Sequence, residues 1–528
     1  MAVLAGLLES PYLAQSICAA LLGVFIFGFW RDFIDELPYS RVPLVGKKWW
    51  SLSNKKAKAR FTNAARALLA EGFAKGISVF QVVGGTQPLI VLDPKYIDEI
   101  KSHPHLDFQR ATTKNFFDDR IAGFEAFHPK GSKAGQITVD LVRVKLTQAL
   151  GSLTIPLSKE TAATVEDIFP TSNEWKTYNF SHEIPYILAR LSSLAFLGEH
   201  ICRDKDWVNV SVHYTLDAFA AARELRMWPS TLRPFVHWFM PSVRKLRQHM
   251  VVARSIINRE IEKRALIREG KLAPEDPPRS HADALDWLQE MSAEGNTLCD
   301  ISRSQVGLAL AAIHTTSNLM TNVIYDLAAY PEYIQPLRDE IRTVIAEDGV
   351  LKKTSLLKLK LMDSVMKESQ RINPVSITSL NRFAVKAIPL SDGTVIPQGA
   401  IIAVSAHVNE DNSIYPNAAT YDGFRFYKKR QEPGHEHRHQ LVTTTSESYN
   451  FGHGIHACPG RFFAVHEAKI LLIHLLLKYD WMFKEDHGRP NSIEHGTEVI
   501  TNPMIEIMFR YREPEIDLAA LGEVNLGQ

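Results

Sequence analysis

Cys458 stands in the run 451–464, FGHGIHACPGRFFA, immediately ahead of an apolar stretch, AVHEAKILLIHLLLKY, that reads as a helix. A cysteine in a loop entering a helix N-terminus meets the positive end of the dipole and free backbone N–H groups, both of which favour the thiolate. Gly452, Gly454 and Gly460 remove side chains around it, as is needed where backbone must pass close to a flat, bulky ligand. A buried cysteine is otherwise an inert small hydrophobe. A different chemistry would use His453, His456 and Cys458 as a zinc or copper triad. Against that, one loop would have to wrap three ligands within six residues, with no fourth ligand in evidence.

Two further places hold polar groups that need a reason. Ser302 with Gln305 fits a capping box and Pro331 a stop, which predicts a helix of about 28 residues, roughly 42 Å long. Its centre reads AAIHTTSNLMTN, and nothing between Gln305 and Tyr325 carries a formal charge unless His314 is protonated. Hydrocarbon would penalise so many hydroxyl and amide groups, so the helix belongs in the core of a large domain rather than in a membrane. A second helix is predicted over 356–372. There Leu361, Val365, Glu368 and Ile372 share a stripe, which buries a carboxylate that requires a partner. Arg371, three residues on, is placed to supply it.

These side chains must be positioned by a chain of 528 residues with 60 Lys+Arg, 59 Asp+Glu and a formal charge of +1. An apolar share of 45% and a charged share of 23% exclude disorder and fibrous repeats. The near-zero charge argues against a nucleic-acid partner. Four cysteines without CxxC spacing exclude a disulfide scaffold and point to a reducing compartment. Residues 11–30, PYLAQSICAALLGVFIFGFW, are uncharged and long enough for a helix of about 30 Å, a bilayer's apolar thickness. No basic start or small-residue cleavage site marks a signal peptide. The expectation is a membrane anchor at 1–31, a proline-containing hinge at 32–50 (Pro38, Pro43) and one catalytic domain over 51–528. Arg31, Arg41, Lys47 and Lys48 all follow the span, which places that domain on the cytosolic side. Strand-like pieces fall only near 77–92 and 383–404, so the domain is mainly α with a small β portion.

The pattern Phe451-x-x-Gly454-x-His456-x-Cys458-x-Gly460 resembles the haem-binding loop of the cytochrome P450 monooxygenases. The other family landmarks occur in order over almost the whole chain. Glu368-x-x-Arg371 resembles the family's ExxR pair, which with Arg425 of YDGFRF forms a clasp beneath the haem. Arg382 resembles the arginine that reaches a haem propionate, and Arg143 that of the family's C helix, although Val139 stands where the family has Trp. His456 replaces the usual Arg, a departure familiar among filamentous-fungal members, and can still donate to a propionate, less strongly than a bidentate Arg. Ala311 to Thr316 aligns with the oxygen-binding signature, with Ala312 for Gly. Thr315 takes the place of the threonine that helps deliver protons, or simply bonds its own i−4 carbonyl. His314 replaces the acid and could relay protons in its place, being able to titrate near neutral pH, or fill space.

The resemblance implies the cytochrome P450 fold behind the anchor, with haem b bound through Cys458 as axial iron ligand. It implies insertion of one oxygen atom of O2 into a lipophilic small molecule, such as a fungal terpenoid, alkaloid or polyketide. Electrons would come from NADPH through NADPH–cytochrome P450 reductase at the endoplasmic reticulum membrane. A thiolate ligand favours O–O cleavage, and the protein positions substrate and controls water. Lys428-Lys429-Arg430 could dock the reductase or be a solvated loop, and His435, His437 and His439 could be a cluster or solvent-facing. Phe116, Phe117, Phe124 and Phe127 fall in the segment that roofs the site, or are ordinary core. Two other classes remain open: a reductase-independent haem-thiolate isomerase or dehydratase, for which the departure at His314 speaks, and a non-catalytic haem-binding membrane protein.

Overall fold

The computed structural model describes residues 15–20, 22–23, 26, 30, 37–48, 51, 54–117, 121–128, 131–228, 231–273, 281–485, 488–516 and 518. Its long helices are α1 (Lys55–Ala74), α2 (Thr147–Ile168), α3 (Phe180–Leu197), α4 (Lys205–Arg226), α5 (Pro241–Arg268), α6 (Ile301–Ala329), α7 (Ile334–Asp348), α8 (Lys360–Ile372) and α9 (Arg461–Lys478). The largest sheet joins β1 (Leu44–Val45), β2 (Val79–Gly84), β3 (Gln87–Leu92), β4 (Leu106–Asp107), β5 (Thr378–Ala384) and β6 (Ile401–Ser405) in the order β1-β2-β3-β6-β5-β4. Small sheets elsewhere pair Lys176–Tyr178, Tyr479–Phe483 and Ile507–Tyr511, and Ile493–His495 with Glu498–Ile500.

α9 and α6 form the centre of the helical core. α9 is apolar on nearly every face and buries Ile470, Leu471, Leu472, Ile473, Leu475 and Leu476 completely. A helix apolar all round can only be satisfied by being surrounded. On its α2 side, Thr154 and Ser158 meet His466 and His474 at 3.1 and 2.9 Å, which ties one ring nitrogen of each histidine across the interface. α6 runs the length of the domain against α3, α4, α5 and α8.

Three expectations about boundaries differ. The N-cap of α6 is Asp300, whose Oδ1 accepts from Arg303 N–H at 3.1 Å; Ser302 lies inside the helix. The helix predicted over 356–372 is two, Lys353–Lys358 and α8, broken at Leu359 where ψ turns to 75°. The hinge expected at 32–50 is built into the domain at its C-terminal end. β1 pairs in parallel with β2, Val42 and Val45 are buried, and Gln81 bonds the backbone of Tyr39 and Val42.

Among the described residues no helix is long and apolar enough to cross a membrane. The anchor expected at 1–31 falls mostly outside the described residues. Those of it that are described, 15–20, 22–23, 26 and 30, are helical and exposed.

Candidate functional site

The Cys458 loop owes its shape to two residues. Gly454 has φ +76°, and a Cβ there would stand 2.2 Å from the Lys101 carbonyl oxygen, so only glycine fits. Cys458 N–H donates to Phe451 C=O at 2.7 Å, which closes the loop on itself. Arg461, in the first turn of α9, donates to the Cys458 and Val442 carbonyls at 2.8 and 3.2 Å. Burial pushes the Cys458 thiol up; the backbone N–H groups of Gly460 and Arg461 and the Arg461 guanidinium oppose that by favouring the thiolate. His453 is held by Thr444 at 3.0 Å, and among the described residues no His/Cys/Asp/Glu group is arranged to hold a metal ion. The triad of His453, His456 and Cys458 therefore does not assemble.

Cations converge on one side of the loop. His456 ends the 3-10 turn Gly454–His456 and faces the Phe108 ring at 6.4 Å. Burial lowers its pKa first, followed by the charges of Arg382 and Arg143, so three cationic or polar donors share this corner. Arg382 is aimed by a β-bulge. The β5/β6 register shifts between Ser379 and Arg382, with Leu380 at φ +50°, and an extra residue there turns the following side chain. Arg382 is 2% exposed; Nη1 donates to Asn381 C=O at 2.8 Å, while Nε and Nη2 are buried with no hydrogen-bond partner. Desolvation pulls its pKa down to about 10, so it remains charged. Arg143 is exposed on a π-helical turn, Leu141–Leu146, a local distortion that changes where its side chain points.

Glu368 of α8 is completely buried and fully engaged. Arg371 Nε and Nη2 donate to its two oxygens at 2.9 and 2.7 Å, Arg425 Nε to Oε1 at 3.0 Å, and Asp422 N–H to Oε1 at 3.1 Å. Arg371 also donates to Asn409 C=O, and Arg425 to Pro416 C=O at 2.7 Å. One carboxylate thus ties α8 to the 409–425 segment, from which the chain continues to the Cys458 loop.

On α6, Ala311 and Thr315 are exposed although Ala309, Ile313, Thr316 and Leu319 around them are buried. Successive residues turn about 100° on a helix, so one narrow strip of α6 faces open space. The Thr315 hydroxyl donates to the Ala311 carbonyl at 2.8 Å, leaving its oxygen to accept from a neighbour in that space. His314 turns elsewhere. Its Nε2 meets the Val212 carbonyl at 2.8 Å, fastening α6 to α4, and burial lowers its pKa.

The remaining sequence candidates resolve simply. Phe124, Phe127 and Phe117 are buried together, with Phe116 stacked on Phe127 at 3.8 Å. Arg430 is buried beside Asp363 at 3.5 Å, so the basic run 428–430 offers solvent only its two lysines. His435 and His439 contact each other at 3.4 Å, with the Glu432 carboxylate 3.2 Å from His435, and among the described residues they form no group that could hold a metal ion. Sequence reasoning missed Phe108, which lies 5.7 Å from Arg382 as well as beside His456, and Glu467, a buried acid on α9. Glu467 had a signal, since it sits within the apolar stretch; Phe108 had none.

These residues fit a haem. A sulfur stands at a helix N-terminus in a glycine-rich loop, an arginine with two orphaned buried donors lies on the same side of the loop as His456, and small residues on α6 face open space.

Comparison with known proteins places this arrangement. Residues 43–509 match the family model described as Cytochrome P450. The chain is 39% identical to cytochrome P450 monooxygenase ptmU of Penicillium ochrochloron, covering 94% of this chain and 97% of that one. It is 37% identical to calE of Penicillium decumbens over 97% of both chains, and 39% identical to cytochrome P450 monooygenase 1 of Gibberella fujikuroi over 83% and 98%.

Proposed function

The chain belongs to the cytochrome P450 family and is an oxidoreductase, and from that premise we propose that it inserts oxygen into a lipophilic small molecule, a fungal secondary metabolite, with electrons from NADPH through a reductase. The observation that carries the reading is Cys458 at the head of α9, in a loop whose geometry only Gly454 permits. Cys458 Sγ would ligate the haem iron, with Arg382, Arg143 and His456 holding the propionates. When bound, a thiolate-ligated haem supplies activation of dioxygen.

The chain's own residues do the rest. Arg382 brings two unpartnered donors to an anionic edge, and a charge-assisted pair there offsets the cost of its burial. The Glu368 cluster keeps the segment before the loop in register with α8. Thr315 presents a hydroxyl oxygen to the open strip of α6, where it can accept a proton-bearing neighbour and pass a hydrogen bond on. His314, held at Val212, positions α6 against α4 instead of carrying protons.

Attachment to the endoplasmic reticulum membrane through 1–31, with the catalytic domain cytosolic, is part of the proposal. It is supported by the exposed apolar residues Ile17, Leu22, Ile26 and Trp30 and by a second exposed patch at Phe235, Trp238 and Phe239.

The test is the absorption of the reduced, carbon monoxide-treated holoprotein, followed by product formation with reductase, NADPH and O2. A thiolate-type band that Cys458→Ala abolishes, together with reductase-dependent turnover, is expected. Turnover without reductase or NADPH would point to rearrangement chemistry, and turnover by Cys458→Ala would remove the assignment.

A further inference from the structure

The space over Thr315 has a traceable rim. Asn318, three residues past Thr315, accepts at Oδ1 from Thr501 N–H at 3.2 Å. Glu498, just before Thr501, reaches α4, its carboxylate 3.8 Å from Arg223. One helical turn later Arg226 ends α4 with its guanidinium 5.6 and 6.0 Å from the ring centres of Phe116 and Phe117. Phe116 in turn stacks on Phe127 and meets Phe219 of α4 edge-on at 5.3 Å. Ala126, next to Phe127, returns to α6, its carbonyl oxygen 3.0 Å from where a Cβ on Gly307 would lie. The contacts leave α6 at Asn318 and rejoin it at Gly307, bracketing the exposed Ala311 and Thr315.

Arg226 is the odd member of that rim. Its Nη2 donates to Asn115 C=O at 2.8 Å, but Nε is sealed from solvent and has no hydrogen-bond partner. Burial lowers its pKa to about 10, with the Glu498 charge opposing, so it stays protonated at neutral pH. Glu498 forms its ion pair with Arg223. A guanidinium set among aromatic faces with a spare donor is costly unless something accepts from it.

We propose that Arg226 determines substrate specificity by binding a carboxylate on the substrate, whose apolar body lies against the Phe116 and Phe127 rings. The proposal rests on the monooxygenase reading and narrows its substrate class from lipophilic molecules to lipophilic acids. A charge-assisted hydrogen bond in a desolvated site is worth about a tenfold or greater change in affinity.

The experiment is equilibrium dialysis of dodecanoic acid and its methyl ester with the haem-loaded full chain at neutral pH. Wild type is expected to bind the acid at least about tenfold more tightly than the ester. Arg226→Leu should erase the preference and Arg226→Lys restore part of it, with the carbon monoxide spectrum unchanged in both. Equal binding of acid and ester, binding of neither, or a preference that survives Arg226→Leu overturns the proposal. The two readings fail differently: a wild type without the thiolate band fails the monooxygenase reading, whereas one with the band but no acid preference fails this inference alone.

Discussion

Glu467 offers a direct measurement of the helical core. Its carboxyl is buried on α9; Oε1 accepts from the Ser192 hydroxyl of α3 at 2.8 Å and Oε2 has no partner. Burial pushes its pKa from 4.5 up to about 8, with the Ser192 hydrogen bond opposing. The folded state therefore holds this proton more tightly than the unfolded chain does. Below pH 4.5 both states are protonated and the group contributes nothing. As pH rises from 4.5 towards 8 the unfolded chain ionises first, and stability is lost progressively. The gap between about 8 and 4.5 corresponds to roughly 5 kcal/mol above pH 8, and roughly 3 kcal/mol at pH 7. Glu467→Gln keeps the shape and the acceptor for Ser192 but cannot ionise, so it removes this loss. For a chain of this length, 1 kcal/mol moves the melting temperature by about 1 °C. Thermal melts at a fixed scan rate should show variant and wild type together near pH 5, the variant about 3 °C higher at pH 7 and about 5 °C higher above pH 8. A difference that does not change with pH, or a variant that melts lower throughout, would show that Glu467 is not held protonated by burial.

His466 and His474 predict the opposite slope. Burial holds each at a pKa of about 3 against the ordinary 6.5, so stability present above pH 6.5 is lost as pH falls towards 3; His474→Gln should flatten that acid limb in the same melts. Glu368→Ala strands Arg371 and Arg425 without their shared carboxylate, and should cost about 3–5 kcal/mol, seen as a lower melting temperature and less haem-loaded protein on purification. Gly454→Ala forces a Cβ onto the Lys101 carbonyl at positive φ, so the haem content per chain should fall severalfold while far-ultraviolet circular dichroism changes little. His314→Gln can still donate to Val212, and its turnover and pH profile should match wild type; a shifted profile would show that the imidazole carries protons after all.

Some of this was legible in the residues alone. The Cys458 loop announced itself because glycines, a cysteine and a helix start are all local features. Glu368 declared its burial through the stripe it shares with Leu361 and Val365, and Arg371 its partnership through helical spacing. The α6 centre was legible as a core helix with a polar purpose, but its cap was misplaced because Asp300 and Ser302 are both good capping residues and only the backbone chooses between them.

What the chain order could not supply is which distant groups meet. Arg425 reaches Glu368 from 57 positions away, and Arg382 is aimed by a bulge whose register depends on β6. His314 and Thr315 are adjacent in sequence, yet one is fastened to α4 and the other faces open space, because helix rotation separates them and the packing of α4 decides which side is filled. Arg226 is unremarkable as a residue type and acquires meaning only from the rings and carboxylate that surround it. Local chemistry and periodicity are written in the order of residues, whereas burial, charge balance and the shape of an opening are properties of elements brought together by the fold.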